Sequence, residues 1–213
     1  MSGLAKDPLN LIIAGVGGQG NILASAVIAQ AALAEGLDAT IGETYGVSQR
    51  GGSVMSHVRL TAGESPGPLI PRGAADILVG FEPLETFQVA LEFANSDTRI
   101  LLNPRPVYPI GVLAGDHAYP SVETLLRLLE RHAGGLTVLE ATEMAREAGE
   151  IRSMNLVMVG AVAGMQLLPL QLESYRKVLA VLFRGRDLEV NRDAFERGRQ
   201  AAEESTARRG TSS

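Results

Sequence analysis

A short apolar segment followed directly by a glycine-rich turn is the feature that most constrains the fold of this chain. Residues 10–14 (NLIIA) are apolar and rich in branched side chains, and residues 15–20 (GVGGQG) follow at once. Residues 21–35 are good helix formers, and Gly36 provides a natural C-terminal stop. A buried strand, a glycine turn and a helix in this order are typical of the opening of a parallel α/β sheet. The expected fold is therefore a Rossmann-like open, mostly parallel sheet flanked by helices.

The rest of the chain continues this α/β pattern and ends in a helical C-terminal part. Strands are predicted at residues 39–41, 53–60, 75–81, 99–102 and 136–140, and helices at residues 83–94, 121–132, 142–148, 154–168, 172–183 and 192–204. Residues 53–60 alternate between two faces, which indicates a half-exposed strand that is antiparallel or at an edge. Residues 103–120, with four prolines, are predicted to be irregular. No linker or repeat divides the chain, so residues 1–213 are expected to form one domain, with residues 205–213 as a flexible tail.

Composition excludes several classes of function. The chain has no cysteine, which removes disulfides, cysteine nucleophiles and thiolate ligands for metals or iron–sulfur clusters. Three histidines without a paired spacing make a zinc or iron site a poor hypothesis. The net charge of -5 gives no electrostatic reason to expect nucleic acid or anionic lipid as a partner. The chain shows no signal peptide and no apolar stretch long enough for a membrane span, so a cytoplasmic location is expected.

The first glycine loop fits the dinucleotide fingerprint, with Gly15, Gly17 and Gly20 at the fingerprint positions and Gly18 and Gln19 between them. Glycines let backbone N–H groups approach a phosphate at a helix N-terminus, where the helix dipole favours negative charge. The alternative is that the same glycines only allow a tight turn and close packing. Both interpretations stay open from the motif alone.

A second polar loop, residues 43–52 (ETYGVSQRGG), is dense in groups that bind anions. Its candidate binding or interface residues are Glu43, Tyr45, Ser48, Gln49, Arg50, Gly51 and Gly52. Hydroxyl, amide and guanidinium groups beside glycines suit a phosphate or carboxylate, although Arg50 could instead pair with a neighbouring carboxylate. Glu43 also lies where a nicotinamide-binding domain places an acidic residue for the ribose, so a dehydrogenase or a stand-alone nucleotide-binding module stays an alternative.

Taken together and in order, these motifs resemble a known family. The GVGGQG turn and the segment ETYGVSQRGGSVMSHVR, followed by residues 68–71 (PLIP), 75–78 (ADIL), 81–85 (FEPLE) and 103–106 (NPRP), resemble the gamma-type module of the 2-oxoacid:ferredoxin oxidoreductases. The resemblance covers about residues 10–200. It implies a subunit of a complex that oxidatively decarboxylates an aromatic 2-oxoacid, such as indolepyruvate or phenylglyoxylate, with coenzyme A.

The resemblance also implies where the cofactors lie. Thiamine diphosphate and iron–sulfur clusters are expected on partner subunits, with ferredoxin or NAD as the acceptor through the complex and none of these cofactors bound by this chain alone. Gly115 and Asp116 do not complete the Gly-Asp-Gly of a thiamine site, because His117 follows. The two glycine loops are expected to hold phosphate or to shape a subunit interface, with no catalytic residue and no metal ligand in the chain.

Other polar residues have mainly structural interpretations. We expect His57 to be a hydrogen-bonded surface or interface residue, with a place at an active-site mouth as the alternative. Glu82 and Glu85 are expected to favour the N-terminus of the helix that they begin. Tyr119 is a candidate interface residue within the proline-rich segment.

The apolar helix at residues 154–168 carries two further signals. Gly160 and Gly164 are one turn apart, which favours close helix packing in the core or against a partner. Asn155, near the start of this helix, is expected either to cap it or to reach the first glycine loop.

Overall fold

The computed structural model describes residues 4–45 and 52–210, without the side chains of residues 208–210. Six strands and eight α-helices are formed in this part of the chain. The strands are β1 (Leu9–Val16), β2 (Asp38–Tyr45), β3 (Ser53–Thr61), β4 (Ile77–Gly80), β5 (Arg99–Leu102) and β6 (Gly135–Val138). The helices are α1 (Asn21–Ala34), α2 (Pro83–Phe93), α3 (Ile110–Leu113), α4 (Val122–His132), α5 (Ala141–Glu147), α6 (Met154–Gly164), α7 (Leu172–Leu182) and α8 (Gly185–Gly210).

The strands form one sheet in the order β2-β3-β1-β4-β5-β6. The pairs β1–β4, β4–β5 and β5–β6 are parallel, with Leu11 opposite Ile77. Strand β3 is antiparallel to both β1 and β2, so five of the six strands run in the same direction. The predicted α/β class and mostly parallel sheet are confirmed.

The place of β3 changes one part of the expected topology. Strands β1 and β2 run in the same direction and are joined by α1, but β3 lies between them. The antiparallel direction predicted for β3 is confirmed, while the edge of the sheet is formed by β2. Strand β2 is also longer than the predicted residues 39–41, because its ladder with β3 continues to the pair of Tyr45 and Val54. Glu43 and Tyr45 are therefore strand residues and not loop residues.

Helices cover both faces of the sheet. On one face, α2 and α4 pack on the apolar side chains of β1, β4 and β5. On the other face, α1, α6, α7 and α8 enclose a larger core. All residues of α6 are buried, because this helix lies between the rest of that core and α8. This sandwiched position explains why α6 is apolar all round.

Several helix bounds differ from the predicted ones for local reasons. Helix α6 ends at Gly164 instead of residue 168, and Gln166 then adopts a positive φ of 52°. Helix α8 begins before residue 192 and runs past the predicted end at residue 204 to Gly210. The bond between Arg197 and Asp193, four residues apart at 2.8 Å, is of the kind that supports a long exposed helix. The predicted cap of α4 is confirmed, since Ser121 Oγ accepts a bond from Thr124 N.

Candidate functional site

The carboxyl ends of β1 and β4 form the point at which the chain connections diverge. From β1 the chain passes through α1 toward the β2 edge, and from β4 it passes through α2 toward β5. In open α/β sheets a crevice forms where adjacent strands send their connections in opposite directions, and ligands bind there. The first glycine loop follows β1 at this place, so the sheet positions it at the expected binding edge.

The first glycine loop is shaped by two residues with positive φ. Gly18 has a φ of 95° and Gly20 a φ of 84°, a region that side chains other than glycine rarely adopt. The turn is closed by Gln19 N, which donates to Val16 O at 3.2 Å. Gly17 and Gly18 are exposed at its tip, and helix α1 begins directly after Gly20. The loop thus presents backbone at a helix N-terminus, as the motif predicts.

Gln19 is engaged within the protein. Its Oε1 accepts from Val16 N at 2.8 Å, and its Nε2 donates to Phe81 O at 3.1 Å. The side chain therefore bridges the ends of β1 and β4 across the crevice. Gly15 is buried below it, and a Cβ at Gly15 would lie 2.6 Å from Gln19 Oε1. Gly15 and Gln19 are thus placed to build the crevice, while Gly17 and Gly18 face outward.

Asn155 connects α6 to this loop, as one of the two expectations for it states. Its Nδ2 donates to Gly20 O at 3.2 Å, and its Oδ1 accepts from Leu156 N at 2.9 Å. Asn21 fixes the loop from the other side, because its Nδ2 donates to the carbonyls of Ile13 and Val54. Buried amide side chains therefore hold the start of α1 against the sheet.

A line of hydrogen bonds extends along the same edge to β5 and β6. Asn103, directly after β5, donates from Nδ2 to Phe81 O at 3.1 Å. Its Oδ1 accepts from both the backbone N and the Oγ1 of Thr142, each at 3.2 Å. No sequence pattern predicted the roles of Asn103 and Thr142. The available signal was a polar residue directly after a buried strand, in the NPRP segment.

Glu82 is buried beside the crevice, and its carboxylate accepts several hydrogen bonds. Its Oε2 accepts from Glu85 N at 2.8 Å, which confirms the predicted role at the N-terminus of α2. Its Oε1 accepts from Val107 N at 3.3 Å and from the hydroxyl of Tyr119. Burial, together with this bond to Glu82, raises the pKa of the Tyr119 hydroxyl far above its usual range. Glu82 therefore ties the proline-rich segment to the end of β4.

Glu85 is also buried, and its carboxyl reaches the root of the second loop. The Ser53 hydroxyl hydrogen-bonds to this carboxyl, while Glu85 Oε2 has no partner among the described residues. Burial raises the pKa of the Glu85 carboxyl, and the Ser53 bond opposes that rise, while the nearby negative charge of Glu82 adds to it. The neutral acid is the form that burial at this position favours.

The end of the second glycine loop contacts the first glycine loop. Gly17 N donates to Gly52 O at 3.0 Å, which brings the end of the second loop against the first. On β2, the Tyr45 hydroxyl donates to Glu43 Oε2, and this bond raises the pKa of the exposed Tyr45 hydroxyl. Four of the predicted site residues, Ser48, Gln49, Arg50 and Gly51, lie outside the described residues.

The position of β2 also bears on the dehydrogenase alternative. In a dinucleotide site the acidic residue that binds the ribose follows the strand next to β1. Here β3 occupies that neighbouring position, and Glu43 pairs with Ser56 one strand farther out. Because its carboxylate already accepts from Tyr45, Glu43 is poorly placed for this role.

His57 is buried inside the protein, contrary to the expected surface or interface position. Its Nδ1 accepts from Ile70 N at 3.3 Å, and its ring meets Phe93 edge-on with centroids 5.4 Å apart. Burial lowers the pKa of His57. The residue therefore supports the packing of residue 70 and α2 onto β3, a role set by tertiary contacts.

Neither a metal centre nor a membrane-spanning helix is found among the described residues. No group of three or more His, Asp or Glu side chains within residues 4–45 and 52–207 is arranged to hold a metal ion. Among the described helices, none combines the length and apolar character that crossing a bilayer requires.

Comparisons with known proteins agree with the resemblance seen in the motifs. A family model described as pyruvate ferredoxin/flavodoxin oxidoreductase matches residues 10–201. The chain is 37% identical over 196 residues to the indolepyruvate oxidoreductase subunit IorB of Methanothermobacter thermautotrophicus, covering 92% of this chain and 98% of that protein. It is 35% identical over 190 residues to the IorB subunit of Archaeoglobus fulgidus, covering 89% of this chain and 93% of that protein.

A solved structure shares the fold. The 2-oxoglutarate:ferredoxin oxidoreductase of Magnetococcus marinus, determined with 2-oxoglutarate, coenzyme A and succinyl-CoA bound, matches with a TM-score of 0.71 and 22% identity. The match covers 94% of this chain and 32% of that longer chain. The resemblance to the gamma-type module and to the beta subunit of indolepyruvate ferredoxin oxidoreductase is thus confirmed. The family match over most of the chain, with relatives above 30% identity across nearly their full length, shows that this chain belongs to the pyruvate ferredoxin/flavodoxin oxidoreductase family.

Proposed function

We propose that this chain is a subunit of a multisubunit oxidoreductase that acts on an aromatic 2-oxoacid, and that it binds neither thiamine diphosphate nor an iron–sulfur cluster. In the reaction, the bond between the carbonyl and carboxylate carbons breaks and carbon dioxide leaves. The carbonyl carbon bonds to the sulfur of coenzyme A, the thiol proton is released, and a pair of electrons passes to ferredoxin or NAD. The product is an acyl-CoA.

One observation carries this proposal: the chain matches two indolepyruvate oxidoreductase subunits along almost their whole length. An arylpyruvate or phenylglyoxylate is the substrate class that fits these relatives. The cytoplasm is the location that fits such an enzyme.

The partner subunits would carry the redox chemistry. This chain has no cysteine to ligate an iron–sulfur cluster. Thiamine diphosphate on a partner would supply the decarboxylation chemistry. The chain alone is accordingly expected to be inactive. Its own groups would bind a phosphate or shape the subunit interface.

The two joined glycine loops are the part of this chain that we assign to coenzyme A phosphate or to the subunit interface. Support comes from the exposed tip at Gly17 and Gly18 and from the helix N-terminus that follows Gly20. Gly52 belongs to the same surface through its bond with Gly17. The roles of Ser48, Gln49, Arg50 and Gly51 stay predictions.

Reconstitution tests the proposed function directly. The chain is purified alone and co-expressed with the proposed large subunit that carries thiamine diphosphate and clusters, and both samples are assayed for acceptor reduction with indolepyruvate, phenylpyruvate and phenylglyoxylate. We expect turnover, dependent on coenzyme A, only in the complex. Turnover by the isolated chain with thiamine diphosphate would contradict the proposal, and so would a complex inactive on all three acids.

Substitution of Arg50 by alanine tests the second loop. Loss of the guanidinium should raise the KM for coenzyme A or weaken assembly of the complex. Arg72→Ala is the matched control, because Arg72 is an exposed arginine in another loop and, among the described residues, forms an ion pair with Glu92 on the surface. If Arg50→Ala and Arg72→Ala both leave KM and assembly unchanged, Arg50 is not part of the site.

A further inference from the structure

Residues 106–114 (PVYPIGVLA), here named the apolar ridge, contain no charged side chain. The short helix α3 within the ridge buries none of its side chains. Ile110 and Leu113 lie one turn apart and are 74% and 72% exposed. Single exposed apolar residues are ordinary, but a run of them on an ordered segment marks a surface that meets another molecule.

The segment of residues 107–119, which includes most of the ridge, is fixed to the protein at both of its ends. Val107 N and the Tyr119 hydroxyl both donate to the same carboxylate oxygen of Glu82. Tyr108 packs edge-on against Tyr119, with ring centroids 5.2 Å apart and planes at 89°. Because Glu82 is buried, the two ends of the segment are held on a single internal anchor.

The backbone between these ends is ordered by its own hydrogen bonds. Leu113 N donates to Pro109 O at 3.1 Å, and Asp116 N donates to Gly111 O at 2.8 Å. A segment held in this way loses little conformational freedom on binding. Apolar side chains on such a prearranged segment are the kind of anchor that dominates protein interfaces.

The ridge lies next to the candidate site. It follows β5, and its anchor Glu82 comes directly after Phe81, whose carbonyl accepts from Gln19 of the first glycine loop. The glycine loop and the ridge therefore share the carboxyl edge of the sheet. A partner that contacts one of them is in reach of the other.

We propose that the apolar ridge is the anchor by which this chain docks into an apolar groove of the thiamine-bearing subunit, an inference that rests on the proposed function. Ile110 and Leu113 enter the groove, while the glycine loops border it. The ridge is thus a docking element for the complex and takes no part in the chemistry.

Two observations favour a further protein over a lipid surface as the occupant. The same fold makes up 32% of a longer chain in the Magnetococcus marinus structure, so it occurs joined to further protein. A membrane surface is disfavoured, because residues 106–114 carry no lysine or arginine to attract anionic lipid.

The test compares two double variants of the full chain. Ile110→Ser/Leu113→Ser removes the apolar ridge side chains, and Leu33→Ser/Leu91→Ser is the matched control. Leu33 and Leu91 are 54% and 58% exposed near the ends of α1 and α2, at the opposite edge of the sheet. The Kd of each for the purified large subunit is measured, with thermal unfolding as the check on folding.

The ridge variant should bind about 100-fold more weakly, roughly tenfold for each lost side chain, with unchanged unfolding. The control should bind within about threefold of wild type. Equal binding by both variants would overturn the proposal, and so would a wild-type chain that self-associates through the ridge in sedimentation. The proposed function is judged separately, by the activity of the wild-type complex.

Discussion

Glycine serves opposite purposes in two regions of this protein. Where α6 packs on α8, the helices touch through backbone: a Cβ at Gly160 would lie 1.9 Å from Phe195 O, and one at Gly164 would lie 2.4 Å from Arg199 O. In the first glycine loop, a Cβ at Gly18 would meet nothing within 4 Å, but the φ of 95° requires glycine. The close packing expected for Gly160 and Gly164 is confirmed, with α8 of the same chain as the neighbour.

The two regions differ in what the missing glycine side chain makes possible. On α6 and α8 the absent side chain lets two helices approach, and Gly198 repeats the arrangement against Val157 O at 1.9 Å. In the loop the absent side chain leaves backbone open at the edge of the sheet. That edge is held instead by hydrogen bonds that Gln19 and Asn103 donate and that Glu82 accepts. The α6–α8 interface is ordered by backbone contact, and the carboxyl edge of the sheet is ordered by hydrogen-bonded polar side chains.

The largest effect is expected for Gly160→Ala. The added methyl cannot fit against Phe195 O, so α6 and α8 must separate, and the free energy of unfolding should fall by about 3 kcal/mol or more. Urea unfolding measures this. Gly67→Ala is the control, because a Cβ there meets nothing within 4 Å and its φ is not positive. A loss below about 1 kcal/mol would show that the helices are not in backbone contact.

Glu82→Ala should be next, with a loss of about 2 kcal/mol. The substitution leaves Glu85 N, Val107 N and the Tyr119 hydroxyl without their acceptor. Glu92→Ala, near the other end of α2, is the control, since Glu92 is exposed and its ion pair within the described part of the chain is with exposed Arg72. If both substitutions lower the free energy of unfolding in urea by the same amount, the carboxyl edge of the sheet is not stabilised by Glu82.

Gly18→Ala should cost about 1 kcal/mol, less than Gly160→Ala although the residue change is the same. The cost comes only from the positive φ, because the space around a Cβ is open. Matched urea unfolding of the two variants gives the ratio directly. Equal losses would break the contrast between the two glycine regions.

The smallest effect is expected from the pH response of His57. Burial holds the pKa of folded His57 below the unfolded value of 6.5. As the pH falls through 6.5, the unfolded state binds a proton that the folded state does not, so stability decreases. The loss is bounded at about 1 kcal/mol at pH 6.

His57→Asn tests this, because an amide oxygen can still accept from Ile70 N and does not titrate. The variant should lose less stability than wild type between pH 7 and about pH 6, as measured by urea unfolding at each pH. His117→Gln/His132→Gln removes the two exposed imidazoles and should keep the wild-type response. An unchanged pH response in His57→Asn would show that His57 is not held neutral.

The local elements and the family could be predicted from the amino-acid sequence. The apolar run, glycine turn and helix former pattern of residues 10–35 predicted β1 and α1, and the predicted residues 99–102 coincide with β5. The Ser121 cap was predicted because a cap depends only on residues three or four positions apart. The motifs and their order were sufficient to predict the family, because both can be read directly from the linear sequence.

The way in which distant segments combine depends on the packing of the whole chain. Strand β3 inserts between β1 and β2, which no local pattern encodes, and this separates Glu43 from the first glycine loop. His57 is buried because residue 70 and Phe93 cover its strand face. Asn103 acquires its role from Phe81 and Thr142, which lie 22 and 39 positions away. Periodicity reports which side of an element is apolar, but the partner on that side is set by packing of the whole chain.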